Sequence, residues 1–177
     1  LSAGIGGFKC DDAANAQNTL VPKCWFGPGS PHGQDALEEG LEWPAQAFCN
    51  PPYLGGDAWR AWLLRFNAHA GRGGVLVTVI PAATGAKWWR DLIVEPGMAD
   101  ILFVTGRIKF NLPRRKKASA PNHDSAVVIF HPDACGHVGW MDNKPNMDRV
   151  RETLNQIEEA ERVAPQTIWK NVASMAD

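Results

Sequence analysis

Ala45-Gln46-Ala47-Phe48-Cys49-Asn50-Pro51-Pro52-Tyr53 is the stretch on which the fold of this chain turns. Ala45 to Cys49 is an apolar run that stops at an Asn-Pro-Pro corner, and Leu54-Gly55-Gly56 follows it. The pattern reads as a buried strand opening into a flexible turn. Downstream, Asp57 is placed to cap a helix over Ala58 to Ala70, with Gly71 just after it and Trp59, Trp62, Leu63 and Phe66 on its inner face. Gly74-Val75-Leu76-Val77-Thr78-Val79-Ile80 is then a continuous apolar, β-branched run, as expected of a strand covered on both faces. Strand, helix and strand in succession argue a parallel α/β sheet. Ligands in such sheets sit at the carboxyl ends of strands, so the Asn-Pro-Pro-Tyr corner is the candidate site.

Further out, the same alternation continues. Phe8-Lys9-Cys10 reads as the end of a short strand. Residues 11–46 are rich in turn formers, with one short strand expected around Lys23 to Phe26. Thr84 to Leu92 reads as a second helix, Ala99 to Val104 as a strand, Gly106 to Phe110 as an exposed strand and Ser125 to Phe130 as a late strand. The expected fold is therefore α/β: a compact Rossmann-like arrangement, mostly parallel, with a late antiparallel strand. Residues 1–140 form the main domain and 141–177 a helical extension packed on it. In that extension, Asn146 to Val163 places Met147, Val150, Leu154, Ile157 and Ala160 at helical spacing opposite a charged face.

Composition narrows the class. The 177 residues are 45% hydrophobic and 21% charged, enough to bury one core. No stretch of 18 apolar residues suggests a membrane span, and no secretory signal is visible at the start. The chain begins with Leu1, which is compatible with residues lying upstream. Cys10, Cys24, Cys49 and Cys135 are widely spaced without a C-x-x-C pair, and are expected to be buried free thiols. His131 and His137 near Cys135 are scattered, and no metal site is expected. The net charge of −1 means that any affinity for nucleic acid must come from a local patch.

The tetrapeptide Asn50-Pro51-Pro52-Tyr53 suits methyl transfer to an exocyclic amine. The amino nitrogen of adenine is a poor nucleophile, because its lone pair is spread into the ring. Two acceptors on its two hydrogens would localise that pair. The Asn50 side chain offers one carbonyl oxygen. Pro51-Pro52 is a stiff corner, and the Pro51 backbone carbonyl offers the other. Tyr53, the single tyrosine of the chain, is placed to stack on a base taken out of the duplex. A purely structural Asn-Pro turn is the alternative.

With these residues in view, the chain resembles the small phage-type DNA N6-adenine methyltransferases, a Dam-like family. The likeness runs over roughly residues 8–130. It rests on Phe8-Lys9-Cys10-Asp11-Asp12-Ala13-Ala14 with Asn18 after it, Asp35-Ala36-Leu37 with Trp43, and Phe48-Cys49-Asn50-Pro51-Pro52-Tyr53. Pro81-Ala82 with Thr84 and Trp88, Gly106-Arg107-Ile108-Lys109-Phe110, and Ser125 to Phe130 complete it. The Thr-Pro segment that usually precedes the first strand of the family is not seen, nor is the Gly-rich loop of most S-adenosylmethionine enzymes.

The resemblance implies an S-adenosylmethionine-dependent, site-specific adenine methyltransferase acting on double-stranded DNA. It also implies a phage or prophage origin and the bacterial cytoplasm as location, with restriction-modification as the context and the choice between restriction evasion and regulation left open. Asn50, Pro51, Pro52 and Tyr53 are then the catalytic candidates. Asp11, at a strand end, is the candidate for the cofactor's ammonium, with a helix N-cap as the alternative. Asp35 is the candidate for the adenosine hydroxyls or amine, and Asn18 is a further cofactor candidate. Between Thr105 and Lys117 lie six cations and no acid. Arg107, Lys109, Arg114, Arg115, Lys116 and Lys117 are accordingly candidates for phosphate contact, in what reads as a mobile loop that orders on DNA. Lys87-Trp88-Trp89-Arg90 is either core or a nucleic-acid contact. A monomer is expected, with the C-terminal helix as an alternative dimer contact. Cytosine-N4 transfer, a protein-glutamine acceptor and a catalytically silent DNA-binding module remain as competing readings.

Overall fold

The structure, a computed structural model, describes residues 7–53, 56–108 and 123–142. Six strands form one sheet: β1 (Cys10–Asp11), β2 (Gln46–Cys49), β3 (Val75–Pro81), β4 (Ala99–Thr105), β5 (Ser125–Phe130) and β6 (Val138–Asp142). Their spatial order is β1-β2-β3-β5-β4-β6. β1 pairs parallel with β2, β2 with β3, and β4 with β6. β5 is antiparallel to both β3 and β4 and is inserted between them. The sheet is thus mostly parallel with one late reversed strand, as the alternation of apolar runs and helical segments suggested.

The long helix, α1 (Gly56–Gly71), buries Trp59, Trp62, Leu63 and Phe66, the four residues expected to face inward. Asp57 lies within its first turn. The inward face packs with Leu76 and Ile80 of β3 and with Ala126, Val128 and Phe130 of β5. Phe66 and Phe130, both fully buried, meet with ring centroids 5.5 Å apart. The opposite face of the sheet carries a second cluster, Val77 and Ile129 with Phe8, Phe48, Val75 and Val127 against them. α1 is followed by a turn whose tightness depends on Gly74. A Cβ there would fall 2.2 Å from Nε2 of the buried His69 ring, so the sheet can start at Val75 only behind a residue without a side chain.

The second helix is shorter than expected. α2 (Lys87–Trp89) runs directly into a wide π-type turn over Arg90–Val94, closed by the Glu95 amide on the Arg90 carbonyl at 2.9 Å. A π-turn displaces the regular bonding pattern. Asn67 of α1 reaches across and donates from Nδ2 to the Leu92 carbonyl at 2.7 Å, so tertiary packing supplies a partner there.

Four further differences from the sequence reading stand out. The short strand expected near Lys23 to Phe26 is a single bridge, Trp25 opposite Asp11. That bridge brings Cys10 and Cys24 side by side, with Cα atoms 4.7 Å apart, and they form a disulfide; the expectation of four free thiols is corrected. Cys49 is free and buried, and Cys135 is free and exposed. Gly106 to Ile108 is not a strand, and Lys109 and Phe110 lie outside the described residues. β6 was not foreseen. The expected C-terminal helix, Asn146 to Val163, also lies outside the described residues, while β6 itself runs through position 140.

Candidate active site

β1, β2 and β3 are parallel, so their carboxyl ends share one rim. Asn50-Pro51-Pro52-Tyr53 leaves β2 at that rim. Pro51 is buried and Pro52 exposed, which pins one side of the corner to the core. The Tyr53 hydroxyl turns inward: its oxygen lies 2.9 Å from Asn50 Oδ1 and 2.8 Å from the backbone carbonyl of Val79 on β3. The residue as a whole is still 38% exposed. Its ring meets Trp59 edge-on at 5.7 Å and His123 edge-on at 5.6 Å. Burial, reinforced by the neighbouring Cys49, raises the phenol pKa far above its usual value, so the hydroxyl keeps its proton. The Cys49 thiol is itself held protonated, by burial first and then by Asp12 and Asp11.

Behind the corner lie two buried carboxyls. Asp11 closes β1 opposite Phe48, and the Asp12 amide donates to the Phe48 carbonyl at 2.8 Å. Asp11 Oδ2 accepts the Leu20 amide at 2.8 Å. Burial raises its pKa, and the Leu20 and Ala13 amides partly offset that. Asp12 is fully buried, and neither of its carboxyl oxygens has a hydrogen-bond partner among the described residues. Burial, then repulsion from Asp11, pushes its pKa up to about 8 against the pull of Arg65. Arg65 itself is engaged by the Leu41 carbonyl and lies 5.2 Å over the Trp43 ring. These acids hold their protons until a positive charge beside them replaces the proton, so the pair fits a cationic ligand.

The far side of the rim is supplied by β5. Because β5 runs opposite to β3, with Ser125 paired to Pro81, its amino end lies at the carboxyl end of β3. This brings His123 to Tyr53 and sets Asp124 3.8 Å from the Arg107 guanidinium.

The profile of the DNA N-6-adenine-methyltransferase (Dam) family matches residues 1–153. The chain belongs to the DNA N-6-adenine-methyltransferase family. No curated protein matches it. Family membership indicates a DNA adenine methyltransferase and implies DNA as its substrate. The match extends past residue 130, where the likeness seen in the motifs ends, and takes in β6.

Within this family member the sequence-derived candidates fall into three groups. Asn50, Pro51, Tyr53 and Asp11 gather at the rim. Asn18 and Asp35 are exposed and hold their own turns: Asn18 Oδ1 accepts the Asn15 amide at 2.7 Å, and Asp35 Oδ1 accepts the Leu37 amide at 2.8 Å. Of the basic candidates, Arg107 is half-exposed and pairs with Asp124, while Lys109 and Arg114 to Lys117 lie outside the described residues. Asp11 is not a helix cap, since turns and not a helix follow it. Trp89 is buried and Trp88 packs partly against the core, whereas Lys87 and Arg90, both paired with Asp91, keep exposed side chains.

Sequence reading missed Asp12, Val79 and His123. Asp12 was legible only as the second half of an acidic pair, and a histidine just before the closing strand was a weak signal. Val79 acts through its backbone and leaves no trace in residue type. No group of three or more metal-ligating side chains occurs among the described residues, and none of their helices is long and apolar enough to cross a membrane.

Proposed function

We propose that this chain transfers a methyl group from S-adenosylmethionine to the N6 amine of an adenine flipped out of double-stranded DNA, with Asn50-Pro51-Pro52-Tyr53 as the reacting site. The observation that carries the reading is the placement of the Asn50 carboxamide and the Tyr53 ring together at the shared rim of β2 and β3. Asn50 Oδ1 and the Pro51 carbonyl accept the two hydrogens of the amine and draw its nitrogen toward tetrahedral geometry. The Tyr53 ring provides a stacking surface for the extruded base.

When bound, S-adenosylmethionine supplies a methyl group already activated on a sulfonium. Asp11 and Asp12 are the groups suited to hold its cationic part, with Asn18 and Asp35 as outer candidates. Tyr53 and Cys49 remain protonated and act as no base. The amine's proton leaves to water once the nitrogen has become cationic, so positioning supplies most of the acceleration. Arg107, Lys109, Arg114, Arg115, Lys116 and Lys117 contact phosphates of the duplex. The enzyme works as a monomer in the bacterial cytoplasm, on behalf of a phage or prophage.

The test is incubation of the protein with labelled S-adenosylmethionine and duplex DNA, followed by nucleoside mass spectrometry. N6-methyladenine is the expected product. Methylcytosine, or no methylated base, overturns the reading.

A further inference from the structure

The Tyr53 hydroxyl poses a counting problem. A phenol carries one proton, yet two acceptor oxygens lie within bonding distance of it: Asn50 Oδ1 at 2.9 Å and the Val79 carbonyl at 2.8 Å. One hydrogen cannot make a full bond to two acceptors at once. The phenol stays protonated, because burial disfavours its anion, so it has one hydrogen to give. The Val79 carbonyl is fixed in the backbone of β3 and has only acceptor character. The Asn50 carboxamide is the one group of the three able to change character. A half-turn exchanges its oxygen for its NH2 without moving any other atom.

After that half-turn every group is matched. The phenol donates to the Val79 carbonyl, its oxygen accepts from Asn50 Nδ2, and Asn50 Oδ1 takes the place that the NH2 held, free to accept. With Oδ1 turned to the phenol, in contrast, the acceptor that the target amine requires is partly taken and the NH2 faces the amine, donor against donor. We propose that the Tyr53 hydroxyl, anchored on the Val79 carbonyl, is a positioning group that turns the Asn50 carboxamide so that its oxygen meets the target amine.

The inference deepens the proposed function and rests on it for the identity of the amine. It gives Tyr53 two separable tasks. The ring stacks, and the hydroxyl sets the polarity of its neighbour three residues back. Val79 enters the site through a carbonyl, and β3 thereby becomes part of the reacting apparatus although none of its side chains is used.

The experiment compares Tyr53→Phe in two backgrounds. With Asn50 present, removal of the hydroxyl lowers kcat about three- to ten-fold, the range of one net hydrogen bond. Duplex affinity, and the fluorescence of a 2-aminopurine placed at the target, change less than twofold, because the ring remains. In the Asn50→Asp background the two carboxylate oxygens are equivalent and a half-turn changes nothing, so Tyr53→Phe costs less than twofold. An equal loss in both backgrounds would show a merely structural hydroxyl and overturn the proposal.

A second measurement needs no turnover. In 15N-labelled protein the Asn50 side-chain NH2, identified by its disappearance in Asn50→Asp, exchanges slowly with solvent when the phenol oxygen holds it. Exchange becomes several-fold faster in Tyr53→Phe. Equal exchange in both proteins overturns the orienting role. If the wild-type protein makes no N6-methyladenine, the proposed function fails, and the exchange measurement still decides the orientation of Asn50.

Discussion

Asp11 and Asp12 are neighbours at the end of β1, but Asp11 accepts the Leu20 amide at 2.8 Å while both carboxyl oxygens of Asp12 are buried without a hydrogen-bond partner among the described residues. The difference makes Asp12 the more strained of the two acids. Its pKa, raised from 3.8 to about 8, has a consequence for stability. The folded chain binds this proton more tightly than the unfolded chain does. The contribution is whole below about pH 4, declines as pH rises, and is gone above about pH 8. At about 1.4 kcal/mol per pKa unit, the loss over that window is at most on the order of 5 kcal/mol. Thermal unfolding of the wild-type protein should therefore fall steeply between pH 5 and pH 8, and Asp12→Asn should flatten the profile and be the more stable protein at pH 8. Parallel profiles would remove Asp12 as the cause.

Asn50→Ala should reduce turnover by about 10²–10³-fold, the range for loss of one positioned polar group in a transition state. S-adenosylmethionine affinity, measured by calorimetry, should change little, since the acids and not Asn50 are assigned to the cofactor. Turnover within threefold of wild type would contradict the role given to Asn50.

Asp11→Asn should weaken S-adenosylmethionine binding more than DNA binding. Its carboxylate is partly satisfied by the Leu20 amide, and an asparagine oxygen can keep that bond while losing the charge. Calorimetry showing unchanged cofactor affinity would leave Asp11 with a structural task alone.

Much of this could be read from residue types, and what could not has identifiable reasons. The apolar run of β3 and the inner face of α1 were legible because burial there follows simple periodicity. β6 was hidden by Gly139, which reads as a strand breaker. Here it admits β4 closely, since a Cβ would fall 3.0 Å from Leu102 Cδ2. The disulfide depends on the bridge between Asp11 and Trp25, a tertiary event with no local signature. At the rim, the tetrapeptide and Asp11 were visible, whereas the Val79 carbonyl was invisible in principle, because every residue has one.

Replacing Arg114, Arg115, Lys116 and Lys117 with neutral residues should weaken binding to all duplexes. If all four touch phosphate, the slope of log affinity against log salt should fall by roughly 3–4 units, at about 0.9 per contact. Preference for the target sequence should survive, because phosphate contacts position without specifying. Arg107→Ala should instead damage methylation of the preferred site disproportionately. Fluorescence anisotropy over a salt series, on specific and scrambled duplexes, reads both; an unchanged slope would move the DNA-binding surface elsewhere.

Gly74→Ala should destabilise the fold by about 1–3 kcal/mol, because its methyl group would overlap the buried His69 ring. Urea unfolding gives the value directly. A midpoint equal to wild type would mean that His69 moves aside without cost.

The reversal of β5 has a consequence beyond the sheet. β4 leaves toward the rim and β5 returns from it, so the chain between them is held at two fixed posts, with Arg107 and Asp124 3.8 Å apart between them. Strand direction alone therefore gathers Tyr53, His123, Arg107 and Asp124 on one edge. A reversal confined to a single strand thus lets a segment remote in sequence wall the corner that the tetrapeptide opens.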